Sequence, residues 1–311
     1  MTATWWLPAR AKLNLVLRVV GRRADGYHLL ETLFHALELH DDVALARADG
    51  GITLDVTADE PSLHVPPGPD NLVQRALAAL LERTRDGGGF RAHLHKRIPH
   101  GGGLGGGSSD AAAALRLGNH LLGEPLTAGE LAAIAVRLGA DVPFCLRGGS
   151  QWGRGIGDEL TPAEVTPRHF VLVAPPFGCP TADVYKSLAA RWKREPDVDT
   201  VRDIPVSDTT DAISRGGYRN DLQAAAERVR PELRDLRRRV TELVQREVAM
   251  TGSGSTLFVP CDDADMARRC AASLAPLGQE GVRMLTTRSA GDPGLDVPRL
   301  LDGARGGGVG R

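Results

Sequence analysis

The sequence predicts an α+β protein of two domains. Strand-like alternation and helix-like periodicity are interleaved along its 311 residues without settling into a regular βαβαβ series. That mixture favours helices layered on mixed sheets over a doubly wound parallel sheet. The length suits about two units of ~150 residues. The expected division falls near residue 160, with an N-terminal unit over 1–160 and a C-terminal unit over 161–311. Hydrophobic residues make up 42% of the chain, enough for a sizeable core without disulfides or metals.

Residues 12–20, KLNLVLRVV, set Leu13, Leu15, Leu17 and Val19 on one face and read as a strand, with GRRADGY as the turn that ends it. Residues 29–39, 42–47 and 52–57 are further strand candidates. Prolines at 66, 67 and 69 break the chain. Asp70 can then cap a helix over NLVQRALAALLERT, with Leu72, Ala76, Leu77 and Leu80 at helical spacing. Residues 90–98 alternate and run as a strand into Pro99 and a glycine loop. Thr127 and Glu130 form a capping box for the helix LAAIAVRL, which Gly139 stops. Residues 170–174 make a short buried strand ended by Pro175 and Pro176.

The polar, aperiodic segment 193–217 is expected to be a loop. Residues 220–246 look helical, with Pro231 early in a second helix. Two apolar stretches flank TGSGS within 247–259, a helix follows over 263–274, and a strand over 282–287. The glycine-rich tail after Ser289 is expected to be disordered. The chain carries no internal repeat.

Several function classes are excluded early. Net charge is −1, which gives no electrostatic case for nucleic acid. No apolar run approaches the ~18 residues of a membrane span. Arg10, Lys12 and Arg18 interrupt the apolar N-terminal stretch and no small-residue cleavage site follows, so no signal peptide is read there. A cytoplasmic location is expected. Cys145, Cys179, Cys261 and Cys270 fit neither CxxC pairs nor a disulfide framework, and are expected to be reduced thiols, mostly buried.

The most informative stretch is RIPHGGGLGGGSSDAAAAL, residues 97–115. Glycine amides can approach a ligand closely and take positive φ. Consecutive amides form an anion nest, and a helix N-terminus adds unsatisfied N–H groups and about half a positive charge. Here Gly101, Gly102, Gly103, Leu104, Gly105, Gly106 and Gly107 run into Ser108, Ser109 and an alanine helix, which one of the serines is expected to cap. The natural guest is a polyphosphate. Gly101, Gly103 and Gly106 satisfy G-x-G-x-x-G, but no acidic residue follows at a strand end as a dinucleotide fold requires. The loop also lacks the lysine of a Walker A motif, so its cation must come from elsewhere.

Lys12 stands at the start of the first strand, on the parity opposite to its leucines, and Lys96 ends the strand that leads into the loop. Either can be an ordinary solvated charge. Asp141, in GADVPF, reads as the N-cap of a short turn or as a carboxylate held half-buried at a site. TGSGS reads equally as a tight turn or as a second phosphate or substrate contact.

In their order along the chain these segments resemble the GHMP kinases. The resemblance rests on AKLNLVL, RRADGYHLLETLF, DNL, KRIPHGGGLGGGSSDAA, LGADVPF and MTGSG, which together span residues 11–254. It implies a two-domain α+β fold with the active site in the cleft between domains and ATP as phosphoryl donor, with Mg²⁺ on its phosphates. It further implies 4-diphosphocytidyl-2-C-methyl-D-erythritol as acceptor at its 2-hydroxyl. A homoserine or mevalonate-type acceptor is the alternative within the family, and a nucleotide-binding regulator without turnover is the alternative outside it.

Residue by residue, the resemblance makes Asp141 the catalytic base and Lys12 its cationic partner, with Asn14 beside it in the substrate site. Pro99, Gly101–Gly107, Ser108 and Ser109 become the phosphate loop, and Asn71 and Lys96 positions near the adenosine end of ATP. Tyr27 and His28 would grip the cytosine, with Tyr185 on its other face. The family usually has Pro-Ala-Lys ahead of the leucine strand. Here the order is Pro8-Ala9-Arg10-Ala11-Lys12, which adds a charge, and His100 replaces a residue that is often apolar.

Lesser signals have plain readings. His93 and His95 share a strand face with no third ligand in view, which favours a solvated face over a metal pair. Six arginines between 228 and 239 read as a solvated helix face. Trp5 and Trp6 can cover a core edge or contribute to a homodimer contact.

Overall fold

The computed structural model describes residues 3–23, 26–194, 217–291 and 296–301. The expected loop at 193–217 lies almost wholly outside the described residues. So do part of the RADGY turn and the last residues of the tail.

The α+β expectation holds. β1 (Thr4–Arg22) and β2 (His28–Ala48) are long antiparallel partners, joined by β4 (Gly89–Lys96) and then by β3 (Gly51–Ala58), which runs parallel to β4. The two strands expected over 29–39 and 42–47 are one strand, β2. Its register against β1 shifts between Arg10↔His40 and Lys12↔Ala36, so residues 37–39 bulge out of the ladder. β5 (Ser150–Arg154) and β6 (Glu159–Pro162), neither anticipated from sequence, extend the lower half of β2. A second, four-stranded sheet has the order β11-β7-β10-β9, from β7 (His169–Ala174), β9 (Ala249–Met250), β10 (Leu257–Cys261) and β11 (Arg283–Arg288).

Helices cover each sheet. α1 (Leu72–Thr84), α2 (Gly106–Leu121), α3 (Ala128–Leu138) and α4 (Val142–Arg147) pack on the first, around Leu45, Leu77, Leu80, Phe90 and Leu115. α5 (Thr181–Arg194), α6 (Gln223–Val229), α7 (Pro231–Val244) and α8 (Ala264–Leu274) enclose the second, around Val171, Val184, Leu233, Leu257 and Leu274. A third cluster, with Leu13, Leu33, Leu172 and Phe258, joins the two. The capping box of Thr127 and Glu130 is present, and Pro231 opens its helix. All four cysteines are free; three are buried and Cys145 is half-buried.

Two local expectations need correction. Asn71, not Asp70, caps α1: its Oδ1 accepts from the Val73 amide. Neither Ser108 nor Ser109 caps α2, because the helix starts inside the glycines with Gly105 as N-cap at φ 72°. A Cβ there would sit 2.9 Å from Lys12 Cγ, so glycine lets the lysine and the helix start share one space.

Beyond Ser289 the described residues are 290, 291 and 296–301. Ser289 and Ala290 bond to Arg168 and Ala36. Asp296 is buried and ion-paired with Arg10, and β12 (Arg299–Leu300) pairs with Trp5 and Trp6 of β1. Together with β8 (Arg219–Asn220), which lies parallel to β1, this returns the later part of the chain to the first sheet. Trp5 meets His120 edge-on and Trp6 lies under Arg299.

Candidate active site

Lys12 projects from β1 at the irregular stretch of its pairing with β2. Its side chain is 3% exposed, and its Nζ donates to Asn14 Oδ1 at 2.6 Å and lies 3.3 Å from Asp141 Oδ2. The Phe34 ring stands 5.6 Å from the ammonium. Asn14 is itself fixed: its Nδ2 donates to Thr32 Oγ1 at 2.8 Å, and its backbone amide donates to Thr251 Oγ1 at 3.0 Å.

Asp141 occupies the N-cap position of α4 but its side chain makes no capping bond. The carboxylate, one-third exposed, points to Lys12 and the cleft instead. Of the two readings open in the sequence, the side chain follows the second.

The glycine loop is closed onto both neighbours. Leu104 O accepts from the Lys12 amide at 2.9 Å, and Gly102 O from the Thr256 amide at 3.1 Å. Gly103, at φ 82°, would put a Cβ 2.4 Å from Thr251 O; a Cβ on Gly102 would meet Thr256 Oγ1 at the same distance. TGSGS therefore supports the loop from behind, and its Gly252 and Ser253 reach the cleft. At Gly103 backbone packs on backbone with no room for a methyl group, and the loop amides and the start of α2 offer donors for an anion.

The cleft holds a cavity of about 1470 Å³ that takes in Lys12, Asn14, Gly101, Gly103, Ser108 and Asp141 at one end. Tyr27, His28 and Tyr185 line the same cavity. This exceeds the ~300–1,000 Å³ of a typical single-ligand pocket, so two guests fit side by side. Tyr27 is 63% exposed at the rim. His28 stacks on Tyr185 with ring centroids 4.8 Å apart. Burial, then the nearby Asp141 carboxylate, push the Tyr185 phenol above its usual pKa. Tyr185 thus bridges the aromatic end and the acid–base end. Burial and then Arg22 lower the His28 pKa, which favours the neutral ring.

Residues 71–149 match the family model for the GHMP kinases N terminal domain. The 4-diphosphocytidyl-2-C-methyl-D-erythritol kinase of Moorella thermoacetica is 40% identical over 277 residues, covering 86% of this chain and 94% of the relative. That of Delftia acidovorans is 41% identical over 259 residues, covering 82% and 85%. The chain belongs to the 4-diphosphocytidyl-2-C-methyl-D-erythritol kinases of the GHMP family. A crystal structure of 4-(cytidine 5'-diphospho)-2C-methyl-D-erythritol kinase agrees, with a TM-score of 0.77 at 37% identity over 92% of this chain and 100% of that one. Homoserine kinase from Cytophaga hutchinsonii, at 18% identity and a TM-score of 0.68, shares the fold.

In this GHMP kinase the side chains of Lys96 and Asn71, expected near the adenosine end of ATP, are engaged by other residues. Lys96 does not line the cleft: its ammonium is buried beneath the loop, bonded to Asp41 and, at 2.7 Å, to Asp110. Asn71 lies beside the loop helix but its side chain is spent on the Val73 amide and on Pro66 O. Both side chains are drawn away by partners that sequence spacing does not reveal. Leu104 is buried, serving through its carbonyl, and Ser109 donates to Arg10 O at 2.7 Å. Arg10 itself turns away from Lys12 to Asp296.

Sequence reasoning missed three cations of the cleft: Arg22, Lys186 and Arg230. Lys186 follows Tyr185 on the α5 face formed with Ala182, Ala189 and Ala190, and its position in DVYK was the one available signal. Arg230 hid in the arginine-rich segment; its Nε donates to Gly178 O at 3.2 Å. Others of those arginines behave as expected of a solvated face, pairing with Glu227, Asp235 and Glu280.

Proposed function

We propose that this kinase transfers the γ-phosphoryl group of ATP to the 2-hydroxyl of 4-diphosphocytidyl-2-C-methyl-D-erythritol, a step of non-mevalonate isoprenoid precursor synthesis. The observation that carries the reading is the Lys12–Asp141 pair, 3.3 Å apart between the glycine loop and an aromatic cleft wall.

The loop amides of Gly101–Gly107 and the N-terminus of α2 receive the triphosphate, for which Ser108 faces the cleft. Mg²⁺, bound to the phosphates, supplies charge neutralisation. Asp141 accepts the proton of the acceptor hydroxyl as its oxygen attacks in line. Lys12, steered by Asn14, holds the carboxylate in place and balances charge on the moving group. Tyr27, His28 and Tyr185 bind the cytosine, and ring stacking is worth ~1–3 kcal/mol per face. His28 and Tyr185 cover one another, so seating cytosine against Tyr185 requires His28 to slide from its face to the base's edge. The two sheets with their helices serve as the two domains, and the cleft between them is the site.

An ADP-release assay over a panel of acceptors tests this. Turnover is expected with the cytidylylated acceptor and not with methylerythritol phosphate, homoserine or mevalonate. Faster turnover of any of the last three would contradict the assignment.

A further inference from the structure

Beneath the phosphate loop lies a buried cluster that the reaction does not use. Asp41 of β2, Lys96 of β4 and Asp110 of α2 are all at most 3% exposed. Both oxygens of Asp41 are occupied: Oδ1 accepts from the amides of Arg97 and Ile98, and Oδ2 from Lys96. Asp110 differs. Its Oδ2 accepts from Lys96 at 2.7 Å, but its Oδ1 is buried with no donor among the described residues.

One ammonium thus faces two carboxyl groups. A second buried negative charge without a counter-ion costs several kcal/mol, whereas a neutral carboxyl costs little. The position adds to the penalty. Asp110 follows Gly106 by four residues, about one helical turn or ~6 Å of rise, so its charge would oppose an anion held at the start of α2.

We propose that Asp110 is a positioning residue of the nucleotide site, protonated in the resting protein, so that the Asp41–Lys96–Asp110 brace under the phosphate loop carries no net charge. Bound triphosphate stabilises that proton further, and its loss weakens nucleotide binding.

The surroundings agree. Burial and the Asp41 carboxylate, opposed by Lys96, raise the Asp110 pKa to about 8. Burial works against the Lys96 charge, yet the two acids prevail and its pKa is raised. From α4, Cys145 faces Asp110, and burial first of all pushes its thiol up, so it adds no charge at neutral pH. From β1, Lys12 is taken by Asp141 and Arg10 by Asp296. α1 and α3 pack on α2 with Ala76, Leu77, Leu80, Ile134 and Ala135. A neutral brace leaves the loop amides and the helix dipole unopposed.

The inference rests in part on ATP docking at the loop, so its test has an arm without nucleotide. Infrared spectroscopy of the free protein at about pH 7 is expected to show a protonated carboxylic acid band that fades as pH rises through about 8 and is missing in Asp110→Asn. A spectrum without that band overturns the proposal, and so does a band that Asp110→Asn retains. If the variant does not fold, the wild-type pH series decides alone.

In the second arm, ATP–Mg²⁺ affinity without acceptor is measured from about pH 7 to 9.5, above the last phosphate ionisation. Wild-type affinity is expected to fall on the order of tenfold while Asp110→Asn stays flat. Parallel profiles overturn the nucleotide coupling. A wild-type protein that shows the band but binds no ATP instead overturns the reading of the loop.

Discussion

Lys12 Nζ lies 3.3 Å from Asp141 Oδ2, although the residues come from β1 and from the turn before α4. The irregular β1–β2 pairing lets Lys12 project toward Asp141, and Gly105 gives its side chain room. Asp141 is released for the pairing because its helix start goes uncapped by its side chain. Each partner departs from a regular element at the point where chemistry needs it.

Asn14 sets the direction of Lys12, since its Oδ1 accepts from the ammonium while its Nδ2 is held by Thr32. Asn14→Ala frees a buried lysine to reorient, and misplacement of ~1 Å can cost ~10²-fold in rate. A fall of about that size in kcat, with ATP affinity little changed, is expected from steady-state kinetics and nucleotide titration.

Gly103 cannot carry a side chain. At φ 82° its Cβ would press on Thr251 O at 2.4 Å, and backbone cannot yield as a flexible side chain does. Gly103→Ala is expected to cost ~1–3 kcal/mol of local strain and to raise the KM for ATP ~10-fold or more. Gly101→Ala makes a useful comparison. It shares the positive φ but its Cβ would meet nothing within 4 Å, so its loss should be smaller.

Tyr185 spans the cleft from His28 toward Asp141. Tyr185→Ala removes one stacking face and should raise acceptor KM ~5- to 150-fold at nearly constant KM for ATP. Tyr27→Ala should act the same way through the other face. Equal effects on both substrates would mean that the aromatic wall supports the fold rather than the base.

His35 predicts an acid limb of stability. It is buried between Ser150 and Ser289, each within 2.8 Å of a ring nitrogen, and burial lowers its pKa to about 4 from 6.5. The unfolded chain therefore binds a proton below pH 6.5 that the folded protein refuses. Its contribution is full above that pH and is lost as pH falls toward about 4, by an amount of order 3 kcal/mol. Urea unfolding from pH 7 to about 4 should show this loss, and His35→Gln should show a shallower one.

The phosphate cradle was legible in local sequence because glycines running into an alanine helix have a physical meaning of their own. The glycine run carries its own signal and α2 follows from its alanines, whereas Lys12 and Asp141, open to a solvated charge and an N-cap when read alone, were picked out by the family resemblance. What remained hidden was decided by contacts across the fold. Lys96 and Asn71 look free in sequence, yet Asp41, Asp110 and Pro66 claim their side chains. α2 starts within the glycines, and Lys12 fills the space that a Cβ at position 105 would need. Composition gave no hint of the contacts made by the described part of the tail, where Asp296 meets Arg10 and Arg116 and residues 299 and 300 pair with β1. β5 and β6 are short and carry Gly153 and Pro162, so periodicity gave little to read.

The central claim is that Asp141 takes the proton of the acceptor hydroxyl beside a triphosphate docked on the loop. Asp141→Asn keeps the shape and the helix start while removing the base. Single-turnover ADP formation with saturating ATP and cytidylylated acceptor, paired with ATP titration, reads both quantities at once. The account predicts a rate at least ~10²-fold below wild type with ATP affinity retained. A variant that turns over at near wild-type rate would contradict it.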